Sequence, residues 1–596
     1  MTNQPPTRTW ILLEPDPEVV AGLVANAGVE PFSARLLATR GFSDPAEARA
    51  FLAPSLSELP DPQGMPDATR AAARLLDAVA ADESVCVYGD YDVDGISAAS
   101  LLDRFLGGLG KRPRVFLPDR FRDGYGLSLA RLHEIADEGA TLLITVDCGT
   151  TAIAEIAAMQ ARGVDVIVCD HHQPKATLPA AYALMNPVLP TSEYGDPAPC
   201  AVGVALVLAQ ATRRELVRRG LVTRDALPPL AELLEFAALG TIADMVPLRG
   251  VNRLLSWHGM RRLGRSERPG IRALAALDGE RTARGADRVG FQLGPRINAA
   301  GRVADPMTAW RLLTTDDPVE AGELAERIDR ENNRRREIQA EVVITAMAMA
   351  EEQAGRDHAI VVASPAWHAG VVGIVASRLK EQFGVPAFVL AVGEDGLATG
   401  SGRSIEGYSL VAGLTALQGR GLFERFGGHD FAAGLTLQAE RIDEFRSLLV
   451  ADVAERLPAD ARISDLVIDA EVALADLDFE LLARIEAFEP FGKGNRRPNL
   501  LIRDLEIARL RRVGRDGDWV KASFAQAGDQ PAWAKTSIDA FSSAARFDGL
   551  ERGERVDIVA TLHCNTWRGR ETLELRVAEI AAPAHRVEKR PPGPRL

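Results

Sequence analysis

Two hydrophobic periods alternate along the first part of the chain. Runs with helical spacing at residues 70–81, 98–109, 128–138 and 153–162 take turns with short apolar runs at residues 85–88, 114–117, 141–146 and 165–169. The alternation predicts a parallel sheet with helices on both faces. In such sheets ligands bind beyond the carboxyl ends of the strands. Asp90, Asp147 and Asp170 each follow a strand-like run and are expected on one edge.

Further on the pattern changes. Residues 317–352 read as one long helix, with Asp317 as N-cap, Pro318 in the first helical position and Glu320 completing a capping-box-like start. At about 1.5 Å per residue it spans roughly 50 Å. Its middle, residues 329–337, is almost all polar and predicts a helix crossing solvent between two lobes. Strand-like residues 359–363 and 387–392 flank the helical run 373–383, a second α/β unit in which Gly396, Gly400, Gly402, Gly427 and Gly428 cluster. After Arg462 come five short β runs, at 466–472, 499–507, 519–524, 556–562 and 572–577, which suit a small OB-fold β-barrel. Residues 1–70 read as a lead-in broken by Pro54, Pro60, Pro62 and Pro66, and the proline-rich end as a disordered tail. The expected division is therefore 71–315, 316–354 for the helix, 355–455, 456–583 and a tail at 584–596.

The densest chemistry lies at Asp90, Asp92 and Asp94. Three like charges within five residues repel one another, and a divalent cation is the usual compensation. Further donors follow apolar runs: Asp147, the trio Asp170-His171-His172, and Asp244 after residues 239–243, read as another strand. Carboxylates with imidazole and no cysteine suit Mn²⁺ or Mg²⁺ better than structural zinc. The number of carboxylates able to bridge points to two ions, a pair that can activate water and stabilise the leaving oxygen of a phosphodiester. Any one aspartate alone reads better as a turn or capping residue; the ligand reading rests on the ordered set.

Composition adds limits. The 596 residues are 46% hydrophobic and 26% charged, enough for several domains, and no apolar stretch is long enough to span a membrane. The first residues lack the basic-then-apolar layout of a secretion signal, and the five cysteines form no CxxC and no even framework. A cytoplasmic protein is expected. Net charge is −14, which argues against nucleic acid only until local potential is considered. Residues 496–515 hold seven arginines against Asp504 and Glu506.

Asp90-Tyr91-Asp92-Val93-Asp94-Gly95, Val146-Asp147-Cys148-Gly149, Asp170-His171-His172 and Gly240-Thr241-Ile242-Ala243-Asp244-Met245 resemble, in order and spacing, the four motifs of the DHH phosphoesterases. Further blocks are similar to the 5′→3′ single-strand-specific DNA exonucleases of that superfamily: Tyr125-Gly126-Leu127-Ser128, residues 294–302, residues 367–376, Gly402-Arg403-Ser404, Gly427-Gly428-His429 and residues 490–495. Asp430-Phe431 departs from the small or apolar residues familiar after the Gly-Gly-His block. The resemblance implies a DHH-type parallel-sheet domain and a DHH-associated α/β domain joined by the long helix, plus the OB-fold barrel. It implies Asp92, Asp94, Asp147, His171, His172 and Asp244 as the catalytic set. Asp90, Asp92, Asp94, Asp147, His171 and Asp244 are the implied metal ligands, with direct or supporting roles for Asp90 and His172 left open.

Arginine forks match phosphate geometry. Arg296, Asn298 and Arg302 in one glycine-bounded segment, and Ser401, Arg403, Ser404 and His429 among the later glycines, are the nucleic-acid-binding candidates. At Gly400 and Gly402 backbone N–H groups are expected to turn outward. Arg403 and Ser404 are assigned the 5′ end and hence the polarity. In the barrel, Arg509, Arg511, Arg512 and Arg515 with Trp519, Phe524 and Trp533 fit base stacking and phosphate tracking. The implied partners are single-stranded DNA, a helicase and a single-strand-binding protein, acting on a monomer and without a membrane. The rival readings are a DHH phosphoesterase of short oligonucleotides or cyclic dinucleotides, and an inactive scaffold.

Overall fold

The computed structural model describes residues 8–593, apart from 121, 125, 196, 224–225, 228, 279–284, 355–356, 458–464, 515–516, 527–536 and 568. Tyr125, Arg515 and Trp533 therefore lie outside the described residues. The chain forms two compact units. One holds Trp10–Gly301, Asp305–Ile328 and Val467–Leu596, and the other Arg302–Ala304 and Asp329–Leu466.

The first unit opens with strand β1 (Trp10–Leu13) and helices α1 (Pro17–Ala27), α2 (Pro31–Thr39) and α3 (Pro45–Leu52). Each helix starts at a proline behind an acidic N-cap, Asp16, Glu30 or Asp44, whose carboxylate accepts the first free N–H groups. Helix α4 (Ala68–Ala80) leads into β2 (Val85–Gly89), α5 (Val93–Gly108), β3 (Arg114–Phe116), α6 (Leu129–Asp137), β4 (Leu142–Val146), α7 (Ile153–Ala161), β5 (Asp165–Cys169) and β6 (Ala183–Met185). The five strands pair in parallel in the order β3-β2-β4-β5-β6. Successive strand residues face opposite sides, so Val85, Val87, Leu142, Ile144 and Ile167 enter one core and Cys86, Tyr88, Leu143, Val166 and Val168 another. That two-sided burial is why these runs carry no polar alternation.

Helices then follow: α8 (Ala201–Arg218), α9 (Leu234–Ala243), α10 (Gly250–Leu263), α11 (Pro269–Ala276), α12 (Gly285–Arg288), α13 (Gly294–Val303), α14 (Met307–Thr314) and α15 (Pro318–Gln353). The apolar run before Asp244 is thus the end of α9 and not a strand. An element buried all round carries no helical stripe, and a short apolar run looks the same in either conformation. Helix α15 has the expected extent, and its residues divide between the units at Ile328/Asp329. Its polar middle is only partly solvated: Asn332 and Arg335 are buried, and the Arg335 guanidinium donates to the side-chain Oδ1 of Asn332 at 2.8 Å.

The second unit contains β7 (Ile360–Ser364), α16 (Val372–Phe383), β8 (Ala387–Val392), β9 (Leu397–Arg403), α17 (Leu410–Gln418), β10 (Phe423–Gly428), β11 (Ala432–Gln438) and α18 (Ile442–Arg456). The sheet order is β10-β11-β9-β8-β7, with only β7 and β8 parallel.

The last segment returns to the first unit with β12 (Leu466–Ile468), β13 (Ala470–Glu471), α19 (Phe479–Glu486), β14 (Leu500–Val513), β15 (Trp519–Gln526), β16 (Ser537–Ser543), β17 (Arg555–Trp567), β18 (Arg570–Ala581) and β19 (Val587–Arg590). Strands β14, β15, β16, β18 and β17 follow one another, and pairing of β17 with β14 closes them into a barrel. Its membership differs from the sequence reading. Residues 466–472 stay outside the closed ring, and β16, which the sequence pattern does not announce, takes the place.

Both chain ends also differ from expectation. Leu23, Leu36, Leu37 and Phe51 of the supposed lead-in share one core with Leu482, Ile485, Phe488, Ile502 and Phe524 of the barrel segment. In the supposed tail, β19 pairs in parallel with β1, Trp10 opposite Val587 and Leu13 opposite Arg590. Four residues as polar as Val587-Glu588-Lys589-Arg590 become a strand only because an edge from the opposite end of the chain is offered to them.

Candidate metal centre

The site begins with sheet register. Gly89, Val146 and Cys169 lie side by side as the last residues of β2, β4 and β5, so the next residues, Asp90, Asp147 and Asp170, stand in a row. Their backbone N–H groups donate across the sheet edge to the carbonyls of Val146, Cys169 and Met185. Asp147 carries a left-handed backbone with φ 64°. Such a conformation costs on the order of 1–3 kcal/mol away from glycine, and is kept where surrounding structure fixes it.

From Asp90 the chain turns into α5. The Asp92 carboxylate caps that helix, accepting from the N–H groups of Asp94 and Gly95 at 2.9 and 3.2 Å. Asp94 therefore lies in the first helical turn. Gly95 makes the turn possible, because a Cβ there would lie 2.5 Å from the Asp90 carbonyl oxygen. Both oxygens of Asp94 accept from the first turn of α8, from Ala201 N–H at 2.7 Å and Val202 N–H at 2.9 Å. Asp244 caps the C-terminus of α9. That helix reaches the site because residue 240 is glycine; a Cβ there would meet Asp94 Oδ1 at 2.6 Å.

His171 Nε2 lies 3.2 Å from Asp147 Oδ1, 3.7 Å from Asp244 Oδ2 and 3.9 Å from Asp94 Oδ2. Among the described residues three donor sets have mutual distances within 4.8 Å: Asp90, Asp92 and Asp147; Asp147, His171 and His172; Asp94, His171 and Asp244. Asp147 and His171 each belong to two of them. Neighbouring ligand groups that share members fit two close ions.

The electrostatics require such compensation. Burial, then the charge of Asp92, pushes the Asp94 carboxyl up to about 7. Burial and the surrounding aspartates raise Asp90, Asp147 and Asp244 well above the usual carboxylate range. Asp90 Oδ1 is buried and accepts no hydrogen bond among the described residues. Hard oxygen donors with imidazole, mutually repelling and partly unsatisfied, fit Mn²⁺ or Mg²⁺.

Asp170 behaves differently. Its carboxylate accepts from the N–H groups of His171, His172 and Thr150 and faces His172 Nδ1. Burial alone would raise its pKa, but His172 and these donors hold it well below the ordinary range. Burial likewise disfavours the charged His172, yet the Asp170 carboxylate carries it up to about 9. Asp170 is thus what orients the second histidine, a role hidden in the sequence because the residue reads as one more strand-end acid. The α8 N–H groups that hold Asp94 were also missed; backbone donors are announced by no residue type.

The phosphate candidates are divided between the two units, Arg296 and Asn298 in the first and Arg302, Ser401, Arg403, Ser404 and His429 in the second. Asn298, in α13, accepts from the Val93 N–H at 3.2 Å and so touches the start of α5. Arg296 is buried, with Nη1 2.6 Å from Asp278 Oδ1, inside the protein and not on an open face. Arg302 groups with the second unit, where it donates to the Gly370 carbonyl at 3.2 Å. Ser401 and Arg403 lie on β9, and Arg403 Nη1 donates to Ser401 Oγ at 2.8 Å. The Ser404 hydroxyl is buried and donates to the Tyr408 carbonyl. Gly400 and Gly402 are strand residues paired on both sides and do not form an outward nest. They keep space for Leu390 and for the Phe388 ring. His429 is exposed in the turn between β10 and β11, beside Asp430, which accepts from the Ser409 hydroxyl.

Comparison with known proteins bears on the same segments. Residues 84–241 match the DHH family N-terminal domain, 357–455 the DHHA1 domain and 468–579 the RecJ OB domain. The chain is 35% identical over 574 residues to the single-stranded-DNA-specific exonuclease RecJ of Bacillus subtilis, covering 96% of this chain and 70% of the relative. It superposes on RecJ of Thermus thermophilus in complex with Mn²⁺ with a TM-score of 0.81 at 30% identity, over 97% of this chain and 80% of the other. The Mg²⁺ complex of that protein gives 0.75 at 28% identity, over 97% and 79%.

Proposed function

The chain belongs to the RecJ family of DHH-domain exonucleases, and from that premise we propose that it hydrolyses single-stranded DNA from the 5′ end. The products are 5′-mononucleotides, and the setting is DNA repair and recombination. The observation that carries this reading is the metal centre, where the carboxylates of Asp147 at a strand end, Asp94 on α5 and Asp244 at the end of α9 lie around His171, with Asp147 shared between donor sets. When bound, two divalent cations supply Lewis acidity for activating water and for the leaving oxygen.

The residues themselves do the rest. Asp90, Asp92, Asp94, Asp147, His171 and Asp244 hold the cations, and the α8 N–H groups fix both oxygens of Asp94. His172, held by Asp170, keeps its Nδ1 proton on that carboxylate and its other ring nitrogen for the pocket. Asn298 steadies the start of α5. Arg302, Ser401, Arg403 and His429 are assigned to substrate phosphates, with Arg403 reading the 5′ end and Ser404 holding the turn behind it. Replacing Arg403 with alanine then removes the preference for 5′-phosphorylated ends.

The barrel supports a polymer substrate. Trp519 is 47% exposed and stacks on Phe541, with ring centroids 4.9 Å apart. Arg511 and Lys521 pair beside them on the adjoining strands, and Arg509 and Arg511 are exposed. Aromatic faces among cations suit stacked bases and a phosphate backbone. Phe524, by contrast, is fully buried in the barrel core. This segment disfavours the alternative of a phosphoesterase for short oligonucleotides or cyclic dinucleotides, which has no use for it.

In this reading the working parts are residues 71–315, 316–354, 355–455 and 456–583. Among the described residues no helix is long and apolar enough to cross a membrane. A cytoplasmic monomer working beside a helicase and a single-strand-binding protein completes the proposal. The deciding experiment compares a long 5′-labelled single strand with a dinucleotide in Mn²⁺, using Asp147→Ala as control. Stepwise loss of label from the long strand, absent in the variant, supports the reading; equal activity of both proteins refutes it.

A further inference from the structure

The block Pro490-Phe491-Gly492-Lys493-Gly494-Asn495 belongs to the barrel segment, yet it is docked beside the metal centre. The Leu248 N–H donates to the Lys493 carbonyl at 2.8 Å. Gly494, with φ 73°, packs so closely that a Cβ would lie 3.2 Å from Pro247 and 3.1 Å from Arg249. Residues 247–249 follow directly on Asp244, Met245 and Val246. The loop is also braced from behind. Gly492 and Asn495 exchange backbone hydrogen bonds, and the buried Asn495 amide donates to the carbonyls of Phe488 and Pro490 at 2.8 Å each. Its carbonyl oxygen accepts from Arg40 at 3.1 Å.

All this ordering is done by backbone, glycine and Asn495. The Lys493 side chain takes no part in it and is exposed. The loop that carries it is pinned by these backbone contacts to residues 247–249, which begin three residues past Asp244. A fixed loop therefore presents a cation beside a strongly acidic pocket, where a polyanion must approach.

We propose that Lys493 is a substrate-binding residue that holds a backbone phosphate of the single strand beside Asp244. The proposal rests on the exonuclease reading, and it makes the barrel segment a contributor to the catalytic end of the substrate path as well as to the distal strand. An ammonium suits this task, since it binds phosphate as a point charge without imposing bidentate geometry.

The test uses the full chain with Lys493→Ala and Lys493→Arg. Steady-state digestion of a 5′-labelled single strand in Mn²⁺ gives kcat and KM. Binding of the same strand to Asp147→Ala, with and without Lys493→Ala, is followed across a range of salt. The expected result is a KM raised roughly fivefold with kcat little changed, the size of one exposed charge contact. The slope of log K against log salt becomes shallower by about 0.7, the share of one single-strand phosphate. Lys493→Arg restores both. An unchanged slope and KM in Lys493→Ala, with the wild-type protein digesting the strand, overturns this proposal alone. A wild-type protein that leaves the strand intact overturns the exonuclease reading, and this proposal with it.

Discussion

His172 Nδ1 lies 2.7 Å from Asp170 Oδ1, and the same carboxylate accepts the backbone N–H of both His171 and His172. One acid thus fixes the fold of the double-histidine turn and the orientation of its second ring. The His172 pKa is raised from 6.5 to about 9, so its stabilising effect is complete below 6.5 and is lost as pH rises through about 9. The Asp170 pKa is lowered, so its contribution persists down through the acid range and disappears only below its usual value. Asp170→Asn is therefore expected to lower Tm in EDTA more at about pH 6 than at about pH 9.5. Exonuclease activity should fall roughly 10–100-fold, as for other partners that orient ligand imidazoles. A Tm loss equal at both pH values would rule out the charge pair as its source.

Cation binding should be coupled to protons. Asp94 is raised to about 7, and Asp90, Asp147 and Asp244 are raised as well. Without cations these groups weaken the fold as pH climbs from the unfolded carboxylate range through their raised values, because each must then ionise among like charges. Mn²⁺ removes that cost. Its gain in Tm is expected to be larger at about pH 8 than at about pH 6, and calorimetry in two buffers of different ionisation enthalpy should show proton release. Identical Tm gains at both pH values would count against the assignment.

Two glycines of one helix should respond in opposite ways. A Cβ on Gly95 would press within 2.5–2.8 Å of the Asp90 backbone, whereas one on Gly107 would meet nothing nearer than Arg112 Nε at 4.0 Å. Gly95→Ala should cost on the order of 1–3 kcal/mol and weaken Mn²⁺ binding. Gly107→Ala should stabilise by up to about 1 kcal/mol through helix propensity and leave Mn²⁺ binding unchanged. Thermal unfolding and Mn²⁺ titration of both variants check this pair.

Trp519 and Phe524 separate binding from folding. The exposed Trp519 stacks on Phe541, while Phe524 is buried in the barrel. Trp519→Ala should weaken binding of a long single strand by about 1–3 kcal/mol with Tm unchanged. Phe524→Ala should lower stability by roughly 3–5 kcal/mol. Anisotropy with a labelled strand and a melting curve distinguish the two, and normal affinity in Trp519→Ala would remove the ring from the DNA interface.

The chain's own order of residues determined the parallel sheet, the acids at its strand ends, the long helix and the presence of a β-barrel. These are local matters: a run buried on both faces is uniformly apolar, and an acid following it stands at the sheet edge whatever else surrounds it. Tertiary structure decided the rest. The register of β2, β4 and β5 set three acids in a row, and α8 supplied backbone donors that no side chain advertises. The helical state of the run before Asp244, the burial of Arg296 against Asp278 and the strand at Val587–Arg590 depend on partners far away in sequence. A pattern of hydrophobic positions reports how each segment is buried; it does not say against what, and the contacts that tune charge and aim side chains are of that second kind.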